Sequence, residues 1–292
     1  MASLPVSRGR FENYALRPLA AGRLVRRSGW TGILGAVLVS LFILVAVFGP
    51  IFAPYDPNAL HLNHILQSPG GGFLLGTDEL GRDLLSRLLA GARLSLLAGV
   101  IVVAISGVVG LIMGTVAGYL GGVVDEILMR GTDMVLAFPN LILAMAISAI
   151  LHPSLTNALI AVGATWWPRY ARLVRGQTLS LKSKDYVIAA RGLGVGTPRI
   201  IIRHLVPNVL SPLLVNATFD VGSVILTVAG LSFIGFGAQP PTAEWGLMIS
   251  EGANWFATQW WVSAEPAIAI LLLVLGFNLV GDMLRDALDP RG

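Results

Sequence analysis

Residues 166–208 read WWPRYARLVRGQTLSLKSKDYVIAARGLGVGTPRIIIRHLVPN, a basic, glycine-punctuated block between long apolar runs. Eight Lys or Arg fall between Arg169 and Arg203 against the single acid Asp185, a net of +7. Such a block resists transfer across a bilayer and fixes one loop on the cytoplasmic side. The rest of the chain is arranged around it. Only 12% of the 292 residues are charged and 55% are hydrophobic, whereas a soluble domain carries about 25% charged residues. No Lys, Arg, Asp or Glu occurs in residues 28–55, 94–124 or 134–168. Each interval exceeds the roughly 20 apolar residues that a helix needs to cross a bilayer. The chain therefore reads as an all-α polytopic membrane protein.

Hydropathy and breakers predict six transmembrane helices, over about 31–53, 95–119, 130–151, 156–175, 208–236 and 261–280. The third and fourth share one charge-free interval, so Asp133 and Arg169 are expected at their inner ends, reaching toward headgroups. The predicted organisation is a cytoplasmic basic segment 1–30 and a six-helix transmembrane domain 31–292. The domain carries an outer loop 54–93, a cytoplasmic loop 176–207 and an outer loop 237–260. Charge orients it. Residues 1–30 hold six Arg and one Glu, residues 54–93 three Arg and four acids, and residues 237–265 three Glu and no base. Both termini and the basic loop are thus expected inside. The first apolar run is too long for a signal-peptide core and has no clear small-residue cleavage site, so it is expected to remain as the first span. With no cysteine, disulfides and thiol chemistry are excluded. The basic residues flank spans rather than form an aromatic-laced stripe, which argues against nucleic-acid binding.

Little looks catalytic. His61 and His64 lack a third ligand nearby, so no metal site is expected. Residues 176–183, GQTLSLKS, mimic a phosphate loop, but Leu181 replaces its second glycine and no strand precedes it. No cofactor is expected on this chain. Ser106, Gly110, Gly114, Gly118 and Gly122 recur every four residues, a small-residue face suited to close helix packing. Leu80, Leu84, Leu85, Leu88 and Leu89 fall on one helix face, with Thr77 or Asp78 as cap. This predicts an amphipathic helix along the outer membrane surface, either a simple anchor or part of a docking surface that includes Arg82 and Asp83. Glu244 and Trp245, after the rigid Pro240-Pro241 turn, are candidates for the same surface. Trp255, Trp260 and Trp261 suit the outer interface. Asp220 is the one carboxylate deep in a span, where a charge costs ~2.5–3.5 kcal/mol on insertion scales. With Asn216 it either lines a transport path or braces a helix contact.

Taken in order, a series of motifs resembles the permease subunits of bacterial dipeptide/oligopeptide ABC importers, the peptide/nickel family, and within it the second permease. These are GTD (76–78), GRD (81–83) and SR (86–87); then GG (121–122), Asp125, MR (129–130), Asp133 and FP (138–139). DYVIAARGLG (185–194), RHLVPN (203–208), LSFIGFGAQPP (231–241), EWG (244–246), FNL (277–279), GD (281–282) and LRDALDP (284–290) complete them. The resemblance implies a type I importer permease fold in the bacterial inner membrane. It implies a coupling helix that docks into a separate ATPase, with Asp185, Tyr186, Ala189, Ala190, Arg191, Gly194 and Pro207 as its residues. Ile188 stands where the motif often has Glu, and Val228 where some members carry an acid. Implied partners are a paralogous permease, ATPase subunits that bind ATP and Mg, and an external binding protein. The implied cargo is peptide, with nickel or glutathione as alternatives. A self-contained ion-coupled carrier is the competing class. Buried ionisable sites and repeat symmetry would favour that class; this sequence has one deep carboxylate and no obvious repeat.

Overall fold

A computed structural model describes residues 29–288. The expected basic segment 1–30 lies outside the described residues up to position 28, as does the end of the 284–290 motif. The described chain is helical: α1 (Gly29–Phe52), α2 (Leu84–Leu120), α3 (Gly122–Leu136), α4 (Asn140–Ile150), α5 (Leu155–Lys182), α6 (Asp185–Gly192), α7 (Thr197–Ile200), α8 (Val206–Phe233), α9 (Trp245–Gly252) and α10 (Trp261–Leu288). A π-helical turn, Ile201–Leu205, joins α7 to α8.

Four helices are long and apolar enough to cross a membrane: α1, α2, the run Thr197–Phe233 and α10. The pair α3 and α4 makes a fifth if its bend of 88° is counted within one span. Where one third span was expected over 130–151, the chain forms two helices set at that angle. The break falls at residues 137–139, where Pro139 has no N–H to continue the ladder. Helix α5 has the length, 28 residues, but Arg169, Arg172 and Arg175 make its inner half too polar to qualify on composition alone.

α2 lies at the centre and packs against α1, α5 and α8. The small-residue ladder faces α5. A Cβ on Gly114 would sit 2.5 Å from the Ala171 carbonyl oxygen, and one on Gly118 2.8 Å from Thr178 Cβ. The ladder is thus a seam within the chain. Gly122 is outside it, with φ +55° and open space around it. α1 is the reverse case. Only Gly32, Gly35, Ala46 and Gly49 are buried, while Ile33, Val37, Leu41, Leu44 and Phe48 stay exposed. That is the surface expected of a helix solvated by lipid.

Loop boundaries also shift. Residues 176–182 continue α5 for two turns, so the phosphate-loop mimic is helical and forms no nest. Residues 84–93 are the first turns of α2, 37 residues long. At 1.5 Å per residue it measures about 55 Å, well beyond a ~30 Å hydrocarbon core. No separate amphipathic helix lies on the outer face; Asp83, not Thr77 or Asp78, caps α2 by accepting from the Ser86 N–H.

Candidate functional site

Three clusters carry the polar chemistry. The first is the short helix α6. Val187 is fully buried and Ala190 nearly so, in a small core with Tyr119, Ile200 and Leu205. Its other side is open: Tyr186, Ile188 and Leu193 are exposed, Leu193 to 85%. The helix ends at Gly194, φ +75°. The Gly194 N–H donates to the Arg191 carbonyl at 3.0 Å and the Val195 N–H to the Ala190 carbonyl at 3.1 Å. That pair of bonds is a Schellman motif, which wants glycine at its left-handed position. Pro207 falls in the first turn of α8, where a missing N–H costs nothing. Tyr186 stacks toward His204 across the exit of the π turn, rings 6.2 Å apart.

Arg191 is exposed, as a coupling residue would be. Its guanidinium also lies 5.6 Å from the centre of the Tyr119 ring, and Lys182 Nζ lies 5.7 Å from the same ring. Asp133 accepts from Arg172 at 2.6 Å, with both side chains more than half exposed. Beside it Arg175 makes a two-pronged pair with Asp125 at 2.6 and 2.7 Å, pinning α3 to α5. Arg169 lies 4.6 Å over the Trp166 ring.

The second cluster lies on α8. Asn216, Asp220, Ser223 and Thr227 follow at spacings of four, three and four, which puts them within about 60° of one another at 100° per residue. Asn216 and Ser223 are exposed and the other two half-buried, so a polar stripe runs along an otherwise apolar helix. Asp220 has no ion-pair partner among the described residues. Its carboxylate interacts with Tyr170, Trp166 and, more remotely, Arg169 of α5. The Tyr170 hydroxyl and Trp166 Nε1 face it without closing a hydrogen bond to any protein acceptor. The structure thus brings Asn216 and Asp220 together and adds Ser223 and Thr227. The 3–4 polar spacing in the fifth span was the available signal for these two.

The third cluster joins residues 53–83 to the start of α2 and to α9. Arg82 Nε meets Asp78 at 2.6 Å, and Arg82 and Arg87 both reach Glu251 Oε2, at 3.0 and 3.1 Å. Both arginines are almost wholly buried. Burial pushes the Glu251 carboxyl above the ordinary Glu range, against the pull of Arg87 and Arg82. Glu244 caps α9, accepting from the Gly246 and Leu247 N–H groups at 3.0 Å each; burial raises its carboxyl too. Arg82, Asp83, Glu244 and Trp245 are each only 1% exposed. They were expected on an outer docking surface. They are instead buried where the start of α2 packs against α9. Asp78 and Glu251, which complete the cluster, are separated by 173 positions of sequence and share no local motif.

The described residues form a polytopic helical bundle with a short glycine-terminated helix beside it. The family described as the binding-protein-dependent transport system inner membrane component matches residues 110–291. The N-terminal TM domain of oligopeptide transport permease C matches residues 27–69. The chain belongs to this family of ABC-importer permeases: it is a multi-pass protein of the bacterial inner membrane and a transport subunit, not an enzyme. Among its relatives, the dipeptide transport system permease protein DppC of Escherichia coli K12 is 48% identical over 265 residues, covering 89% of this chain and 88% of that one. The di/tripeptide permease DppC of Pseudomonas aeruginosa UCBPP-PA14 is 47% identical over 267 residues, 89% and 88% of the two chains. The probable D,D-dipeptide permease DdpC of E. coli K12 is 47% identical over 256 residues, 88% and 86%.

Proposed function

We propose that this chain pairs with a paralogous permease to form the membrane path of an ATP-driven importer of di- and oligopeptides. The cargo rests on the names of the relatives. The machinery rests on one observation: α6 stands outside the apolar helices, fixed on one side through Val187 and open on the other at Ile188 and Leu193. A short helix so mounted transmits a rigid-body push and needs no chemistry of its own. Separate ATPase subunits bind ATP and Mg and close on nucleotide. Residues 185–194 move with them, and the spans alternate between inward and outward access. An external binding protein delivers the peptide. The polar stripe of α8, from Asn216 to Thr227, lines the path.

In this reading there are six spans. The broken pair α3–α4 is one, and α5, screened by α2, α3 and α8, is another. Both termini and residues 183–205 are cytoplasmic. Residues 54–83 and 237–260 are outside.

The test is co-expression with the neighbouring importer genes, purification through this chain, and reconstitution with the binding protein. ATP-dependent accumulation of a labelled dipeptide, abolished by blocking hydrolysis, is the expected result. Uptake that persists without hydrolysis would favour an ion-coupled carrier. Uptake of Ni²⁺ or glutathione but not dipeptide would reassign the cargo.

A further inference from the structure

α6 is tied covalently to two of the membrane helices, to α5 through residues 183–184 and to α8 through residues 193–205. It has no such tie to α2, the helix on which α1, α5 and α8 all pack. One side chain bridges that gap. Tyr119 occupies the last turn of α2, immediately before Leu120 and the Gly121 break at φ +69°. Its ring is 8% exposed and shares a core with Val187 of α6, Ile200 of α7 and Leu205 of the π turn. Two cations lie over the same ring: Arg191 of α6 at 5.6 Å and Lys182, the last residue of α5, at 5.7 Å. Cations within about 6 Å of a ring centre are attracted by its quadrupole. This small core is separate from the main one that fills the membrane bundle. With Leu181 of α5 packed against it, it contains residues of α2, α5, α6, α7 and the π turn.

We propose that Tyr119 is a positioning residue that carries the displacement of α6 into α2. The inference rests on the reading of α6 as the ATPase-coupling helix. A push on α6 shifts Val187 and Arg191 together. Both press on one rigid ring, and a ring on the final turn of a helix moves the helix rather than bending away. Neighbouring Gly118 is packed against Thr178 of α5, with no room for a Cβ, so the inner ends of α2 and α5 respond as one body. Tyr119 then sets how much of the ATPase movement reaches the helix at the centre of the fold.

The test uses the complete importer in proteoliposomes, with its binding protein and dialanine as probe. Tyr119→Phe keeps the ring and its face, and should retain wild-type stimulation of ATP hydrolysis by loaded binding protein. Tyr119→Ala should leave the ATPase co-purifying while stimulation falls about fivefold or more, the lower range of inter-site coupling. The double variant Lys182→Gln/Arg191→Gln leaves the apolar core intact and should lose part of the stimulation in the same assay. If Tyr119→Ala fails to assemble, the double variant and Tyr119→Phe decide: wild-type stimulation in the former, or loss in the latter, overturns the inference. Normal stimulation in assembled Tyr119→Ala does the same. Ile188→Asp, on the open face of α6, separates this from the parent reading. If Ile188→Asp leaves ATPase attachment unchanged, α6 is not the docking helix. If it releases the ATPase while Tyr119→Ala couples normally, only the role of Tyr119 falls.

Discussion

Trp245 donates its indole N–H to the carbonyl of Leu88 at 3.0 Å, across 157 positions of sequence. The contact exists because Gly91, one turn further along α2, has no side chain. A Cβ there would lie 2.7 Å from Trp245 Cδ1 and 3.0 Å from the Ala243 carbonyl oxygen. One glycine thereby seats α9 on the first turns of α2.

Gly91→Val should therefore unseat the indole. Overpacking of this kind costs about 1–3 kcal/mol. The purified complex should show a lower unfolding midpoint in detergent and a shift in tryptophan emission as Trp245 becomes wetter. An unchanged midpoint and emission would mean that the seat is not rigid.

Arg87→Leu leaves Glu251 with one arginine in place of two. Breaking a buried ion cluster from one side costs roughly 3–5 kcal/mol, and the yield of assembled complex should drop accordingly. Arg130→Leu serves as the control. Its pair with Glu126 is solvent-exposed, and such pairs contribute about 0–1 kcal/mol, so its yield should match wild type.

Gly194→Val has free space around the new side chain, since nothing lies within 4 Å of its Cβ position. The cost is all in the backbone, about 1–2 kcal/mol for a left-handed residue with a side chain and more with β-branching. The Schellman ending should open and α6 should lose its fixed exit. Stimulated ATP hydrolysis should fall with insertion intact, as measured by hydrolysis with loaded binding protein and by membrane yield. Wild-type hydrolysis would show that the exit geometry is immaterial.

Asp220 distinguishes path from brace. If the α8 stripe lines the path, Asp220→Leu assembles normally and transports less, while Asp220→Asn keeps more transport than Leu. If Asp220 only braces α5, the loss appears as a lower complex yield. Normal yield with normal dipeptide uptake would remove both roles.

Topology is accessible because the chain has no cysteine. Asn63→Cys and Ser183→Cys both place the new thiol at exposed positions. A membrane-impermeant maleimide should label the first from outside in intact cells and the second only after permeabilisation. Labelling of Asn63→Cys from the cytoplasmic side alone would invert the orientation.

Long apolar intervals made α1 and α8 legible to within a few residues, and the start of α10 as well, because the bilayer constrains them one at a time; α10 runs eight residues past its expected end at 280. The glycine ending of α6 at Gly194 was legible for a different reason: its conformation is local. What sequence concealed was polar burial. Arg82, Asp83 and Glu244 looked like surface residues because charged side chains in a loop between spans usually are. Only the tertiary closure of α9 over α2 makes them interior, and nothing within ten residues of Arg87 announces Glu251. Helix α5 was legible from 156 to 175 but not in its last two turns. Asp125 and Asp133 on α3 pair with Arg175 and Arg172, and the helix runs on to Lys182.

The unbroken length of α2 has a mechanical consequence. Its first turn, at Ser86 and Arg87, is locked into the buried charges shared with Glu251 of α9. Its last, at Tyr119, is gripped by the cations of Lys182 and Arg191 beside α6. No proline interrupts the 37 residues between. A tilt imposed at either extremity is therefore felt at the other without any relay of intermediate contacts. The buried charges at Glu251 and the cations at Tyr119 hold two ends of a single rod.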